Sequence, residues 1–357
     1  MKEFPPTFIE GFHDKDSVQK MEYVELGKTE LLVSKISMGT ATLSHFYGSV
    51  DEDEAIKTVH EAIKKGINFI DTAPWYGHRK SEEVLGRALK GIPRKAYYIA
   101  TKVGRYEADV ENMFDFSGKK TRESVEKSLE LLGIECIDVI QIHDIEFAPD
   151  LDILLHETIP TLEELRREGK VNFIGVTGYP LNVLNNSVLM APGRFSTVLT
   201  YARYTLIDQS LTSYLETFHD HKLGVICAAG HSMGLLTNSG PQNWHPASDE
   251  IKSICKEASD ICQEKGIELG KLAMHFFIQL DGVTTFLVGM QNSQLLNMNL
   301  DVYYNGLTEK EEEILNDLQL NVFSKLEDCE VTHWEEIELD NYWMEYWDKK
   351  KKNKNSS

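Results

Sequence analysis

Asn68-Phe69-Ile70-Asp71-Thr72-Ala73, then Ser81-Glu82-Glu83-Val84-Leu85-Gly86-Arg87-Ala88-Leu89-Lys90, then Tyr97-Tyr98-Ile99-Ala100-Thr101-Lys102-Val103-Gly104: two short apolar runs enclose an amphipathic segment. The outer runs are too short for helices and rich in β-branched and aromatic residues, whereas the middle one repeats its apolar positions at three and four. This is a strand, helix, strand unit, and it recurs. Similar runs at 36–41, 138–144, 173–178, 197–204, 224–230 and 285–290 bring the strands to eight. Helical patterns at 53–65, 121–133 and 158–169 lie between them, with Thr121 as an opening signal and Gly133 and Gly169 as closing ones. Eight such units without a linker predict an α/β fold, a (β/α)8 TIM barrel, rather than two domains.

Length and composition agree with that reading. The chain has 357 residues, 41% hydrophobic and 26% charged, an ordinary globular balance. At roughly 150 residues per domain the length suggests two domains, but one barrel over 1–320 with an extension over 321–357 accounts for it. Residues 23–34 read as a β-hairpin turning near Gly27 and Lys28, placed to cap one end of the barrel. In the extension, Trp334, Tyr342, Trp343, Tyr346 and Trp347 are expected to pack on the body, and the Lys/Asn/Ser stretch 349–357 to be disordered.

Lys and Arg number 37 against 57 Asp and Glu, a formal charge of −20. A surface this acidic repels phosphate backbones and anionic lipid, which makes nucleic acid and membrane poor partners. No apolar stretch nears the ~20 residues of a membrane helix, and the N-terminus lacks the apolar run of a signal peptide. The five cysteines, an odd number without a C-x-x-C, read as reduced thiols of a cytoplasmic protein.

In a barrel of this kind reactive groups sit at the C-terminal ends of strands and in the loops that follow. Asp71, Lys102 and His143 each end an apolar run, and Tyr76 lies five residues beyond Asp71. Any one of them alone reads as a helix cap or half of a structural ion pair. Three on successive strands are harder to dismiss, because Asp and Lys buried in a barrel mouth destabilise it unless they pair.

The segment 66–77, with Ser81 to Leu89 behind it, resembles the signature of the aldo-keto reductase superfamily, and Ala100-Thr101-Lys102 and Gln141-Ile142-His143-Asp144 resemble its other landmarks in the expected order. The nearer likeness is to the L-galactose dehydrogenase group, judged by Gly104-Arg105-Tyr106, residues 143–147, 173–180 and 244–248; His333-Trp334-Glu335 and Tyr342-Trp343 are similar to its animal members.

The resemblance implies an oxidoreductase that interconverts an alcohol and a carbonyl on a sugar or other small substrate, with NAD or NADP. Tyr76 would be the general acid and base, Lys102 held by Asp71 would lower its pKa from about 10, and His143 would orient the substrate oxygen. By matching position, cofactor contacts fall on Thr177, Gly178, Tyr201, Gly234, Leu235, Gly289, Gln291, Asn292 and Asn299. No basic residue stands at 289–293 to hold a 2′-phosphate, which leans to NAD.

Trp75, Tyr106, His231 and Trp244 lie in loops suited to line a substrate pocket, although each aromatic would serve equally as a plug between helices. The pair His219 and His221 reads as a solvated turn rather than a metal site. Two alternatives stand beside the sugar enzyme: a reductase of a bulkier ketosteroid-type substrate, and a non-catalytic dinucleotide-binding regulatory subunit.

Overall fold

Each of the eight apolar runs forms a strand in the computed structural model, which describes residues 3–355. Helix α1 (Lys15–Lys20) leads into an antiparallel hairpin, β1 (Tyr23–Glu25) and β2 (Leu32–Ser34). The repeating units are β3 (Ile36–Gly39) with α2 (Glu52–Lys64), β4 (Phe69–Asp71) with α3 (Lys80–Leu89), β5 (Tyr98–Val103) with α4 (Gly118–Leu132), and β6 (Ile137–Ile142) with α5 (Ile159–Arg167). They continue as β7 (Val171–Thr177) with α6 (Leu181–Met190), β8 (Thr197–Tyr201) with α7 (Leu215–Asp220), β9 (Gly224–Ala228) with α8 (Asp249–Glu264) and α9 (Leu269–Phe277), and β10 (Thr285–Gly289) with α10 (Ser293–Asn305). Strands β3 to β10 pair in parallel and close on themselves through β10 and β3. The expected (β/α)8 barrel is the fold.

The helices begin where side chains satisfy free backbone N–H groups. Asp51 accepts from Asp53 and Glu54 at the start of α2, and Thr308 with Glu311 forms a reciprocal capping box at α11 (Glu309–Asn321). Helix α4 starts earlier than Thr121, because Ser117 supplies the cap, and it ends as expected on Gly133 at a positive φ of 66°. The hairpin does cap the barrel: Leu26 and Val33 join the interior cluster of Phe69, Ala100, Val139, Leu199, Ile226 and Leu287, and Leu26 lies against Gly224 at the start of β9.

The C-terminal extension departs from expectation. Trp334, Tyr342, Trp343 and Tyr346 pack on the body, whereas Trp347 is exposed and meets only Trp343 and Tyr346 of its own helix, and the stretch read as disordered is helix: α12 (Glu335–Asn355) runs through it. Residues 356–357 lie outside the described residues. Tertiary contacts override the weak local signal. Tyr342 sits edge-on against Phe114 and Phe147, and Lys349 and Lys350 pair with Asp109 and Glu111. Ahead of α12, Trp334 is buried, stacked on Tyr179 with ring centroids 5.0 Å apart.

Close helix packing depends on Gly86 of α3, where a Cβ would stand 2.0 Å from the Leu131 carbonyl oxygen of α4. Gly86→Ala should force the two helices apart and cost about 1–3 kcal/mol. A lowered thermal midpoint with unchanged far-UV circular dichroism is the expected result; an unchanged midpoint would mean that the helices separate freely.

Candidate active site

Pairing between β4, β5 and β6 places Asp71, Lys102 and Gln141 side by side at the barrel mouth, Asp71 opposite Ala100 and Lys102 opposite Gln141. Lys102 is 1% and Asp71 0% exposed. The Lys102 ammonium donates to Asp71 Oδ1, to the Thr72 carbonyl at 2.9 Å and to Tyr76 Oη at 3.2 Å. Gln141 Nε2 donates to the other Asp71 oxygen at 2.7 Å. Every strong hydrogen-bonding atom of the ion pair therefore has a partner, as a buried pair requires.

Tyr76 is held by a contorted loop. Gly77, His78 and Arg79 all take positive φ (62°, 51° and 75°), a conformation that costs a non-glycine residue energy unless its surroundings impose it. Arg79 supplies the constraint: its guanidinium binds Glu82 at 3.0 Å, Ser124 at 2.9 Å and Ser128 at 3.2 Å, and buried Glu82 in turn accepts from Thr101. The Tyr76 ring stands perpendicular to His143, centroids 6.0 Å apart.

Burial drives His143 down to about 3, so its imidazole is neutral, and its Nδ1 has no hydrogen-bond partner. Tyr76 moves opposite to the expectation. Burial, then the charges of Asp71 and Asp144, raise it well above the usual tyrosine value, and the favourable charge on the phenol is that of Arg105. Much of the Lys102 charge is committed to Asp71, so desolvation wins. A neutral phenol beside a neutral imidazole presents two hydrogen-bonding groups to one oxygen atom.

The expected cofactor positions occupy the neighbouring half of the rim, from β7 to α10. Thr177 accepts the Asp144 N–H at 3.3 Å, Gly178 donates to the Leu199 carbonyl at 3.2 Å, and half-buried Tyr201 ends β8. Gly234 (φ 104°) and buried Leu235 lie in the tightly folded loop after β9. Gly289 ends β10 and Gln291 follows it, half-buried. Asn292 uses its side-chain oxygen to cap α10 at Leu295, while buried Asn299 leaves Oδ1 unpartnered. The rim fits a nicotinamide dinucleotide in one respect that matters: Asn299 Oδ1 of α10 is a buried polar atom without a partner, which a polar ligand would satisfy.

The four expected substrate contacts divide. Trp75 is half-buried under the Arg105 guanidinium, 4.1 Å from its ring centroid. Trp244 is an exposed neighbour of Phe46, centroids 4.5 Å apart. Tyr106 is a buried plug whose hydroxyl accepts the Gly104 N–H at 2.8 Å, and His231 turns a ring nitrogen to the Gly270 carbonyl of α9 at 3.1 Å. His219 and His221 spend ring nitrogens on the Gly282 and Thr217 carbonyls, and no group of metal-ligating side chains occurs among the described residues.

Sequence reading overlooked an acid and base cluster beside His143. Arg105 Nη1 lies 2.7 Å from Asp144 Oδ2, its Nη2 lies 3.9 Å from Glu338 of α12, and half-buried Glu146 lies against Gly178. Arg105, Asp144 and Glu146 each stand within a few positions of a strand end, the signal that found His143. Glu338 carries no local signal.

Residues 35–319 match the Aldo/keto reductase family. The chain belongs to that family and is an NAD(P)-dependent oxidoreductase. Among its relatives, L-galactose dehydrogenase of Arabidopsis thaliana is 41% identical, over 79% of this chain and 88% of that protein. D-arabinose 1-dehydrogenase of Saccharomyces cerevisiae is 31% identical, over 82% and 91%. The solved holo form of an aldo-keto reductase from Bacillus halodurans superposes with a TM-score of 0.65 at 25% identity, covering 84% of this chain and 96% of that one. Among the described residues, no helix is long and apolar enough to cross a membrane.

The neutral state of His143 has a consequence for pH. The folded chain keeps the imidazole unprotonated while the unfolded chain protonates it below about 6.5, so its contribution to stability is lost as pH falls from 6.5 towards 3. The stability gap between wild type and His143→Asn, measured by denaturant unfolding, should therefore shift against wild type between pH 7.5 and pH 5. A constant gap would mean that His143 titrates as a solvated histidine.

Proposed function

We propose that the chain is a cytoplasmic sugar dehydrogenase, interconverting a sugar hydroxyl and its carbonyl. The observation that carries this reading is the 3.2 Å contact of Tyr76 Oη with Lys102, beside a neutral His143 and under a polar wall. The activities named for the relatives, on L-galactose and D-arabinose, support the substrate class, and five unpaired thiols suit a reducing compartment.

Tyr76 passes the proton to or from the substrate oxygen, Lys102 and Asp71 hold the phenol in place, and His143 binds the same oxygen. The dinucleotide, when bound, supplies or accepts the hydride. For its grip, Thr177, Gly178 and Tyr201 suit the nicotinamide side, and Gly234, Leu235, Gly289, Gln291, Asn292 and Asn299 the remainder. Charged Arg105, Asp144 and Glu338 at the mouth disfavour an apolar ketosteroid, and the fully partnered Asp71 and Lys102 pair beside Tyr76 disfavours a regulatory subunit without turnover.

Tyr76→Phe should lower kcat about 10²–10⁴-fold with dinucleotide binding, followed by protein fluorescence, unchanged. Near-normal turnover of L-galactose by that variant, or wild-type turnover of a ketosteroid and no sugar, would overturn the proposal.

We assign the cofactor preference to NAD. The Glu54 carboxylate accepts the Ser293 N–H at 3.1 Å at the start of α10, a place where a phosphate would otherwise find a donor, and 289–293 carries no cation. Fluorescence titration should give NAD+ a dissociation constant at least about tenfold below that of NADP+, a gap of roughly 1.4 kcal/mol. Glu54→Gln should narrow it. Equal affinities in the wild type would reverse the assignment.

A further inference from the structure

The mouth of the barrel holds more hydrogen-bonding capacity than the protein itself uses. Arg105 Nε, Asp144 Oδ1, Glu146 Oε2 and His143 Nδ1 are all buried and all lack a partner. Buried polar atoms are normally satisfied, and four left open in one place mark a surface shaped for something polar. Above them α12 delivers Glu338. Its separation of 3.9 Å from Arg105 is a charge contact too long for a hydrogen bond, so its oxygens remain available.

Glu338 is enclosed without being sealed. Its surroundings raise it above the usual carboxylate range, chiefly by burial, against the pull of Arg105 and with the push of Asp144. Even so, 34% of its side-chain surface is open. The same carboxylate acts electrostatically on Tyr47, which also feels Tyr76, and on Tyr201. Glu338 thus has the Arg105 guanidinium on one side and open surface on the other.

Helix α12 holds that position firmly. Glu335 pairs with Arg203 at 2.6 Å, Trp334 stacks on Tyr179 and donates its backbone N–H to the Tyr179 hydroxyl at 3.3 Å, and Tyr342 packs with Phe114 and Phe147. Arg105 is stacked on Trp75 and near Phe114, which leaves its guanidinium little freedom.

We propose that Glu338 is a specificity-determining residue: fixed beside Arg105 by the C-terminal helix, its carboxylate accepts hydrogen bonds from the hydroxyls of a polyhydroxylated substrate and selects it over an apolar carbonyl. Arg105 Nε and Asp144 Oδ1 supply a donor and an acceptor next to it, which matches a sugar because each hydroxyl both gives and takes a hydrogen bond. This inference rests on the sugar dehydrogenase reading and names the residue that enforces it.

The test compares two reactions in the full chain: oxidation of L-galactose, and reduction of 4-nitrobenzaldehyde, a probe without hydroxyls. Glu338→Leu should raise the sugar KM about 10–100-fold, the loss of a hydrogen bond to a charged group, with Glu338→Gln intermediate. The aldehyde KM should be unchanged or lower, and NAD+ affinity unchanged. Should Glu338→Leu loosen α12, seen as a lowered melting midpoint, the isosteric Glu338→Gln decides on the same ratio. A wild type active on sugar whose sugar-to-aldehyde ratio is unmoved by these variants overturns the role of Glu338 alone. A wild type active on the aldehyde and on no sugar overturns the sugar reading and this inference with it.

Discussion

Two opposite charges on adjacent strands, Asp71 and Lys102, lie almost wholly out of water at the barrel mouth, and such a pair is tolerated only when every proton and lone pair facing it is engaged. Lys102 has three protons to place. One goes to Asp71, one to the Thr72 carbonyl and one to Tyr76 Oη, so the loop beyond β4 must fold back over the lysine. That return path forces the positive φ angles at 77–79, which in turn require the Arg79 brace on Glu82, Ser124 and Ser128. The placement of the Tyr76 phenol thus follows from satisfying one ion pair.

A second layer of charge surrounds that pair and is organised from the far end of the chain. Helix α12 gives Glu335 to Arg203 and Glu338 to Arg105, while its aromatic face docks on the loop after β5. In a chain with a formal charge of −20, cations at the mouth have competing partners, and carboxylates from α12 keep Arg105 and Arg203 in fixed positions. Stacking on Trp75, Phe114 and Phe147 restricts Arg105 further. The extension is therefore part of the wall of the site.

The strands and the positions of Asp71, Lys102 and His143 were legible because period and position encode them, an apolar run closing on a titratable residue, while Tyr76 was legible through the resemblance of segment 66–77. Helix α12 was not, since its local pattern mixes aromatics with acids and lysines, and the partners that stabilise it, Phe114, Phe147, Asp109 and Glu111, are remote in sequence. Tyr106 and His231 were misleading for the same reason. Both stand in the right loops, yet the Gly104 N–H and the Gly270 carbonyl claim them. The shift of Tyr76 was misjudged because sequence displays the neighbouring lysine but hides desolvation and the approach of Asp144.

That shift bears on the direction of proton transfer. With Tyr76 held above its usual value and His143 held far below, both groups are neutral in the resting chamber, and both can place hydrogen-bonding capacity on one oxygen without adding net charge. In the proposed reaction, carbonyl reduction begins from the protonation state that the chamber already favours. Alcohol oxidation needs the phenol to yield its proton while Asp71 and Asp144 oppose the negative charge that results. Much of the charge on Lys102 is already committed to Asp71, so oxidation calls for further positive charge facing Tyr76, and Arg105 is the fixed cation that already opposes those two carboxylates there. The pairing of Arg105 with Asp144 therefore matters to proton transfer as well as to the shape of the wall: a stronger hold by Asp144 leaves the phenol more firmly protonated.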